Sequence, residues 1–462
     1  MPCNSNVFNG VGNDRRIGRR LNRLSNDISN SGSSVINSCY KTSHDKIAAY
    51  RLLGNERYSV DELISSLQES CAANACGMSH VLGIEDTTEL DYHRNKGRLL
   101  RNDPDIGRGN NLLKYSFFLH PTLAVSATSG NIVGFSSVEL FNRPASPEKP
   151  IDRHKRPLEE KESFRWLRSA QTTARTLPHD VRKTMLCDRE GDVFEVMEGM
   201  LACGTDFLIR SKSDRLDTTA GMRLEESMSR VPLAATFKIT VRASKEHAGH
   251  TAVMELRFKQ VSLRNKDGRH LNACCVLARE KASSVPKGSS RISWRLLTSH
   301  TISTIEQAIE CVRWYRMRWQ IEELFRVLKT KGFGIESARL GEGIKLKKLL
   351  IITMQASLQI MRMKEALDDT REDVEAGTVL GPEYIKVLEA YDRNFRSESR
   401  RNKGNTNPYR KGSLPWAAWV TARLGGWSGY EKAHGRPGRI TLCNGFQKLS
   451  NAVEFYLITK GT

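Results

Sequence analysis

The sequence has little that would tether it to a membrane or staple it by covalent bonds. Ten cysteines are spread over 462 residues. Cys71 and Cys76 stand five apart and Cys274 and Cys275 are adjacent. Neither pair has the short CxxC spacing of a zinc ligand or redox pair, so they read as ordinary buried thiols of a reducing compartment. The opening Met-Pro-Cys-Asn-Ser-Asn has no apolar core preceded by positive charge, and no secretory signal is expected. The most apolar stretch, Leu349 to Met361, is interrupted by Gln355 and Gln359 and is too short to span a bilayer. No internal repeat is detectable. A soluble, intracellular protein with no membrane partner is expected.

Acidic residues are also in deficit. There are 52 Asp plus Glu against 72 Lys plus Arg, a net charge of +20, and the pI is near 9.6. A surplus of that size favours a polyanionic partner. Nucleic acid comes first. An anionic membrane surface comes second, because the surplus is spread along the chain and forms no basic amphipathic anchor. A basic protein without such a partner is the plainer alternative. The length exceeds one ordinary core and suggests two to four domains.

The first eighty residues read as helical. Arg15, Arg16, Arg19, Arg20 and Arg23 recur at helical spacing over Asn13 to Ile28, beside Ile17, Leu21 and Leu24. Helices are expected around Asp45 to Leu53 and from Ser59, where Ser59 and Glu62 form a capping box. The basic stripe is either a solvated face or, on a helix that enters a groove, a DNA contact through Arg16 and Arg19. From about residue 79 the pattern becomes strand-like. Val81-Leu-Gly-Ile84 ends abruptly at Glu85-Asp86, Tyr115 to Ala127 and Ile132 to Phe141 flank a turn at Thr128 to Asn131, and Thr184 to Cys187 ends at Asp188. A loop bearing Pro144, Pro147, Pro150 and Pro157 and a helix near Glu162 to Thr176 intervene, and a strand at Phe207 to Arg210 follows. Strands interleaved with helices argue for an α/β layer domain. Residues from roughly 213 to 298 read as a β-rich insertion, with strands at Phe237 to Arg242, Val253 to Leu263 and Leu271 to Leu277. The α/β pattern resumes at Trp294 to Leu297. A capping box of Ser303 with Glu306 then opens a long helix to about Lys331, and the remainder is helical except for a polar, basic loop over Asn394 to Gly412.

Carboxylates at strand ends are notable because sites form at strand ends in α/β sheets. Asp86 and Asp188 are both such residues, although each alone reads equally as a cap or turn. The long helix adds Tyr315, Arg318, Glu322 and Lys329 at offsets of three, four and seven. These fall within an arc of roughly 60°, beside the apolar stripe Trp314, Ile321, Leu324, Phe325 and Leu328. An acid, two cations and a phenol thus share one edge of a core-packed helix. A surface ion-pair row is the simpler account of that edge.

The spacing Tyr315-x2-Arg318-x3-Glu322-x6-Lys329 resembles the Y-R-E-K signature of bacterial insertion-sequence transposases of the IS-four family. Gly83-Ile-Glu-Asp-Thr-Thr88 resembles the block that holds that family's first aspartate, and Cys187-Asp-Arg-Glu-Gly-Asp192 the block that holds its second, with Gly191 replacing the usual small residue. Ile209-Arg-Ser-Lys212, Trp294-Arg-Leu-Leu-Thr-Ser299, Gly12-Asn-Asp-Arg-Arg16, Ala49-Tyr-Arg51, Gly412-Ser-Leu-Pro-Trp416 and Ala422-Arg-Leu-Gly-Gly-Trp427 are also similar, in the same order along the chain. The inner insertion and the stretch after Tyr430 match poorly.

The resemblance implies an α/β, RNase-H-like catalytic domain over 71–365, with a β-rich insertion at about 213–298. It would be flanked by a helical DNA-end-binding domain over 1–70 and a helical C-terminal dimerisation domain over 366–462. It implies an Asp86–Asp188–Glu322 triad holding two Mg²⁺ ions, which Mn²⁺ can replace since all-oxygen ligation suits both. Arg318 and Lys329 would hold phosphates of the cut strand, and Tyr315 would donate to a phosphate or stack. Trp294 matches the tryptophan implicated in holding a flipped base during hairpin formation. Arg210, Lys212 and Arg326 carry over as further DNA contacts, while Glu190 and Asp192 are read as structural neighbours of the second aspartate. The expected partners are double-stranded DNA, as transposon-end inverted repeats and target, and a second copy of the chain in a homodimer on DNA. The expected location is the bacterial cytoplasm, at the nucleoid. A transposase-derived DNA-binding protein without catalysis and an RNase-H-like nuclease are the competing readings.

Overall fold

The computed structural model describes residues 7–144, 156–241, 249–329, 332–369, 374–402 and 406–460. The strands are β1 (His80–Glu85), β2 (Thr88–Asp91), β3 (Ser116–Ser126), β4 (Ile132–Phe141), β5 (Arg182–Cys187), β6 (Asp206–Arg210), β7 (Leu216–Asp217), β8 (Met222–Arg223), β9 (Ala235–Val241), β10 (His250–Arg264), β11 (His270–Glu280) and β12 (Ser293–Thr298). All join one mixed sheet in the order β2-β3-β1-β5-β6-β12-β11-β10-β7-β8, with β4 on β3 and β9 on β10. The central strands β1, β5 and β6 run parallel, whereas β3 lies antiparallel to β1 and β12 antiparallel to β6. This mixed sheet, with strands β4, β3, β1, β5 and β6 side by side, is consistent with an RNase-H-like domain.

Alternation along the strands assigns side chains to two faces. Leu82, Ile84, Leu186, Leu208, Val276 and Leu296 enter one core, while Met185, Cys187, Phe207, Ile209, Leu277 and Leu297 enter another. Helices cover both. The second core is closed by α4 (Phe164–Thr176) and α5 (Phe194–Ala202), through Trp166, Leu167, Phe194, Met197 and Met200. The first is closed by α6 (Ile305–Met317), α7 (Trp319–Leu328) and the 27-residue α8 (Gly343–Asp369). Burial on both sides explains why β1, β5 and β6 read as short unbroken apolar runs rather than alternating ones.

The other helices are α1 (Arg15–Ser31), α2 (Ser43–Leu53), α3 (Val60–Ala75), α9 (Pro382–Asn402), α10 (Leu414–Leu424) and α11 (Arg439–Lys460). Short helices at Ile36–Cys39, Leu224–Ser229 and Glu431–His434 fill connections. The apolar stripe of α1, Ile17, Leu21, Leu24 and Ile28, is buried in the first core. The hydroxyls of Ser25 and Ser29 on α1 donate to the Ile352 and Ala356 carbonyls of α8. Helices α10 and α11 cross so closely that a Cβ on Gly445 would collide with the Thr421 carbonyl oxygen. The Leu349 to Met361 stretch is the buried middle of α8, and among the described residues no helix is long and apolar enough to cross a membrane. The nine described cysteines are all free.

Most expected elements form within two or three residues of the bounds read from sequence, and the Ser59–Glu62 capping box is present. Three expectations change. The capping box opening α6 is Thr304 with Gln307, not Ser303 with Glu306, because the Gln307 side chain reaches back to the amides of both Ser303 and Thr304. The long helix is two, α6 and α7, parted at Arg318. It ends at Leu328, with Lys329 extended and Gly334 (φ +69°) left-handed just beyond; Lys331 lies outside the described residues. The strands read as a β-rich insertion continue the main sheet through the β6–β12 pairing. The loop expected over Asn394 to Gly412 begins later, since α9 runs helical to Asn402. An Arg396–Asp392 ion pair supports it one turn apart. Of the residues read from sequence, Pro147, Pro150 and Arg242 lie outside the described ones.

Candidate active site

The register of β1 against β5 pairs Ile84 with Leu186 in parallel. Asp86 and Asp188 stand two residues beyond that pair, each just past the last residue of its strand. Neighbouring strands are about 4.8 Å apart, so the two carboxylates leave the sheet side by side. Alternation turns both away from Glu85 and Cys187 and toward the α6–α7 face. The register of β1 against β3 runs unchanged into β2, Glu85 opposite Thr122 and Thr88 opposite Leu119. The interruption at Asp86 and Thr87 therefore lies opposite Pro121 and His120, and proline has no N–H to give a ladder. The sheet opens where the acid is needed.

Arg318 joins the parts. Its Nη1 donates to Asp86 Oδ2 at 2.9 Å and its Nη2 to Glu322 Oε1 at 2.6 Å. Burial pushes the Asp86 carboxyl up to about 6; Arg318 opposes that shift and the nearby Asp188 charge adds to it. The other Asp86 oxygen accepts the Thr87 amide at 2.8 Å, and Asp188 Oδ1 accepts the Glu190 amide at 2.7 Å. Among the described residues no group of three or more His, Cys, Asp or Glu is gathered as closely as a shared metal ion would require. Asp86 and Glu322 are held instead on the two arms of one guanidinium.

The remaining residues singled out from sequence spread around this centre. Tyr315 is buried, and its phenol is raised by that burial. Its ring packs edge-on against half-buried Trp294, 6.0 Å between centroids, which places Trp294 on β12 beside the site helix. Arg210, at the end of β6, donates to the Ser293 carbonyl at 3.1 Å. Lys212 is exposed on a turn pinned by Asp192, whose buried carboxylate accepts the Lys212 and Ser213 amides at 2.7 and 2.8 Å and Nε and Nη2 of Arg215. Lys329, at the end of α7, faces Glu336 at 3.6 Å. Arg326 is turned outward, paired with Glu323 and stacked on exposed Trp319. Arg16 and Arg19 are exposed on α1, far along the chain from the strand ends, and neither carries an ion pair among the described residues.

Sequence reasoning missed the layer beneath the carboxylates. Glu85 is fully buried, with Oε2 3.3 Å from His120 Nε2 and Oε1 accepting the Cys187 thiol at 3.3 Å. Burial pushes Glu85 and Cys187 up and His120 down, so all three are held toward their neutral forms. His120 Nδ1 meets the Thr87 hydroxyl at 2.8 Å, which also accepts from Arg165 Nε at 2.8 Å. Two apolar-looking strand ends carrying Glu85 and Cys187 were the only signal of this layer in the sequence.

Residues 167–358 match the family model described as the transposase DDE domain. That span contains Asp188 and Glu322 and begins after Asp86. The match supports a transposase, an enzyme that cuts and joins DNA, and a dependence on divalent metal of the kind general in that family.

Proposed function

We propose that the chain is an insertion-sequence transposase of the IS-four type that moves DNA by cut and paste. The observation that carries this is the in-register exit of Asp86 and Asp188 from parallel β1 and β5, with Arg318 tying Asp86 to Glu322 on the covering helix. An all-carboxylate set of this kind suits hard divalent cations. The part-buried Asp86 carboxyl, raised by desolvation and by the Asp188 charge and already paired with the Arg318 guanidinium, stands where a cation would also be drawn. Asp86, Asp188 and Glu322 would hold two Mg²⁺ ions, with Mn²⁺ able to replace them. Bound there, these supply activation of the attacking oxygen and stabilisation of the leaving one.

The chain's own groups position DNA. Arg318, released from its carboxylates, and Lys329 grip phosphates of the strand being cut, with Arg210, Lys212 and Arg326 extending the contact. The first cut breaks a P–O3′ bond, water adding to phosphorus and the 3′ oxygen leaving as a hydroxyl. That hydroxyl attacks a phosphate of the opposite strand, forming the hairpin's new P–O3′ bond as the flanking DNA's P–O3′ bond breaks and its 3′ oxygen leaves as a hydroxyl. Water then breaks the hairpin bond and frees the 3′ hydroxyl, which attacks a target phosphate and displaces a target 3′ hydroxyl. Trp294, half-buried on Tyr315, offers a face for the base displaced in the hairpin. The residues 1–70 serve end binding and 366–462 dimerisation. On DNA two copies pair two ends, and the apolar end of α11, with Phe455, Leu457 and Ile458 exposed, supports a second copy as its cover. The site of action is the bacterial nucleoid. A catalytically dead relative has no reason to retain all three carboxylates.

Inverted repeats flanking the coding region would supply the test substrate. On that DNA, Glu322→Gln abolishes Mg²⁺-dependent nicking and leaves end binding intact, while Trp294→Ala depresses hairpin formation more than the first nick. Nicking that survives Glu322→Gln removes Glu322 from the triad, and equal loss of both steps returns Trp294 to the core.

A further inference from the structure

Asp86 and Asp188 are connected through the protein by contacts that neither strand supplies. Each carboxylate is oriented by an amide just after it, Thr87 for Asp86 and Glu190 for Asp188. The side chains of those same two residues converge on Arg165 of α4. Its Nε donates to Thr87 Oγ1 at 2.8 Å and its Nη2 to Glu190 Oε2 at 2.7 Å. The third nitrogen, Nη1, is taken by the Glu162 carbonyl at 2.9 Å and by Glu162 Oε1 at 3.4 Å. Glu162 itself accepts from Nε and Nη2 of Arg143, at 3.0 and 2.7 Å. Arg165 is 6% exposed, and its guanidinium lies against the rings of Trp166 and Phe141. It has no freedom to turn without breaking one of these contacts.

A second tie lies below. Glu85 and Cys187, the residues just before the two aspartates, are joined by the thiol–carboxyl contact, and Glu85 reaches Thr87 again through His120. Each aspartate is therefore bracketed before and after by residues fastened across the β1–β5 seam. Arg165 is the member of this bracket that spans both strand ends from another element. A planar fork with donors fixed in direction can do this, whereas a lysine ammonium could satisfy one partner but not set the distance between two.

We propose that Arg165 is a positioning residue of the two-aspartate site. By tying Thr87 to Glu190 it sets the separation of Asp86 and Asp188, and with it the affinity of the site for a divalent cation. This rests on the metal-dependent reading of the triad given above. Groups that orient metal ligands cost about 10–100-fold in metal affinity when removed.

The test is Mn²⁺ binding to the full chain without DNA, followed by titration calorimetry and by the EPR signal of free Mn²⁺, with the thermal midpoint of the metal-free protein recorded alongside. Asp86→Asn is the reference for the site, and Arg165→Gln, Arg165→Lys and Thr87→Val test the clamp. Expected are a strong loss in Asp86→Asn and at least about a tenfold loss in Arg165→Gln and Thr87→Val, with partial recovery in Arg165→Lys. Thr87→Val replaces a hydroxyl by a methyl of similar shape and decides the matter if Arg165→Gln does not fold. If Asp86→Asn weakens Mn²⁺ binding while Thr87→Val and any folded Arg165→Gln leave it unchanged, the clamp is wrong and the metal site stands. If Asp86→Asn itself leaves binding unchanged, the metal reading fails and the clamp falls with it.

Discussion

Arg318 carries the charge balance of the site. Its side chain is 16% exposed and spans two carboxylates, one of them raised by burial and by a neighbouring aspartate. Any cation bound by Asp86 and Glu322 competes with that guanidinium, so metal entry and release of Arg318 toward a phosphate are linked. Arg318→Ala should therefore lower nicking, because a grip on phosphate is gone, and yet raise Mn²⁺ affinity of the DNA-free protein. A tenfold gain corresponds to about 1.4 kcal/mol, a reasonable size for two partly exposed ion pairs. The metal-free variant should also melt lower, with crowded acids left unpaired, and regain more on adding Mn²⁺ than the parent does. Calorimetric titration decides: weaker Mn²⁺ binding in Arg318→Ala would mean that Arg318 orients the carboxylates and does not compete for them. The four-residue spacing of Arg318 and Glu322 is legible in sequence because one helical turn joins them. The Asp86 contact is not, since it bridges 232 positions and depends on where α7 crosses the sheet. Arg165 is hidden for the same reason, with its partner Thr87 78 residues away.

Elements meet through small polar switches as well as apolar faces. At the entrance of β5, the Thr184 hydroxyl lies 2.8 Å from His80 Nε2 of β1 and 2.8 Å from His300 Nε2 just after β12. Burial is the main cause holding both imidazoles down, to about 4. The unfolded chain protonates them near the ordinary histidine value of about 6.5, so between that pH and about 4 the unfolded state takes up protons that the folded state refuses. Their stabilisation is present above pH 6.5 and is lost as the pH falls toward 4. Melting midpoints measured across that window should decline, and His300→Gln, which keeps an amide able to meet Thr184, should flatten the decline. A slope unchanged in the variant would show that His300 titrates alike folded and unfolded. Strands β1 and β5 are legible because double-sided burial leaves unbroken apolar runs that stop at an acid. The parting of α6 and α7 is not, since Tyr315 to Lys329 keeps helical spacing on both sides of Arg318. The shift of the cap from Ser303 to Thr304 turns on which hydroxyl meets the third amide, and a single residue of register decides it.

At the scale of the whole molecule the apolar core runs from Phe8 to Val453, so α1 is fixed on α8 and α11 and presents its basic edge outward. The helices of the first seventy residues are legible from capping and periodicity. Their seating is not, because contacts such as Ser25 to Ile352 join residues 327 apart. The seating separates the arginines into two kinds. Arg23 is paired with Asp27 and Asp45 and Arg20 donates to the Ala48 carbonyl, whereas Arg16 and Arg19 are exposed without an ion pair among the described residues. An unpaired cation costs less to bring to a phosphate than a paired one, which must first give up its acid. Arg16→Glu with Arg19→Glu should therefore weaken end binding and reduce the salt dependence, by about one unit of log K against log salt for each phosphate no longer neutralised. Charge reversal at Arg20 and Arg23 should change that slope less. Arg16 and Arg19 lie exposed and outside the buried stripe of Ile17, Leu21, Leu24 and Ile28, so melting of that variant should stay near the parent and its loss of binding cannot be assigned to unfolding. End-binding titrations over a range of salt give both slopes. Equal slopes in parent and Arg16/Arg19 variant would take α1 off the DNA and leave the chain's surplus of positive charge to be placed elsewhere.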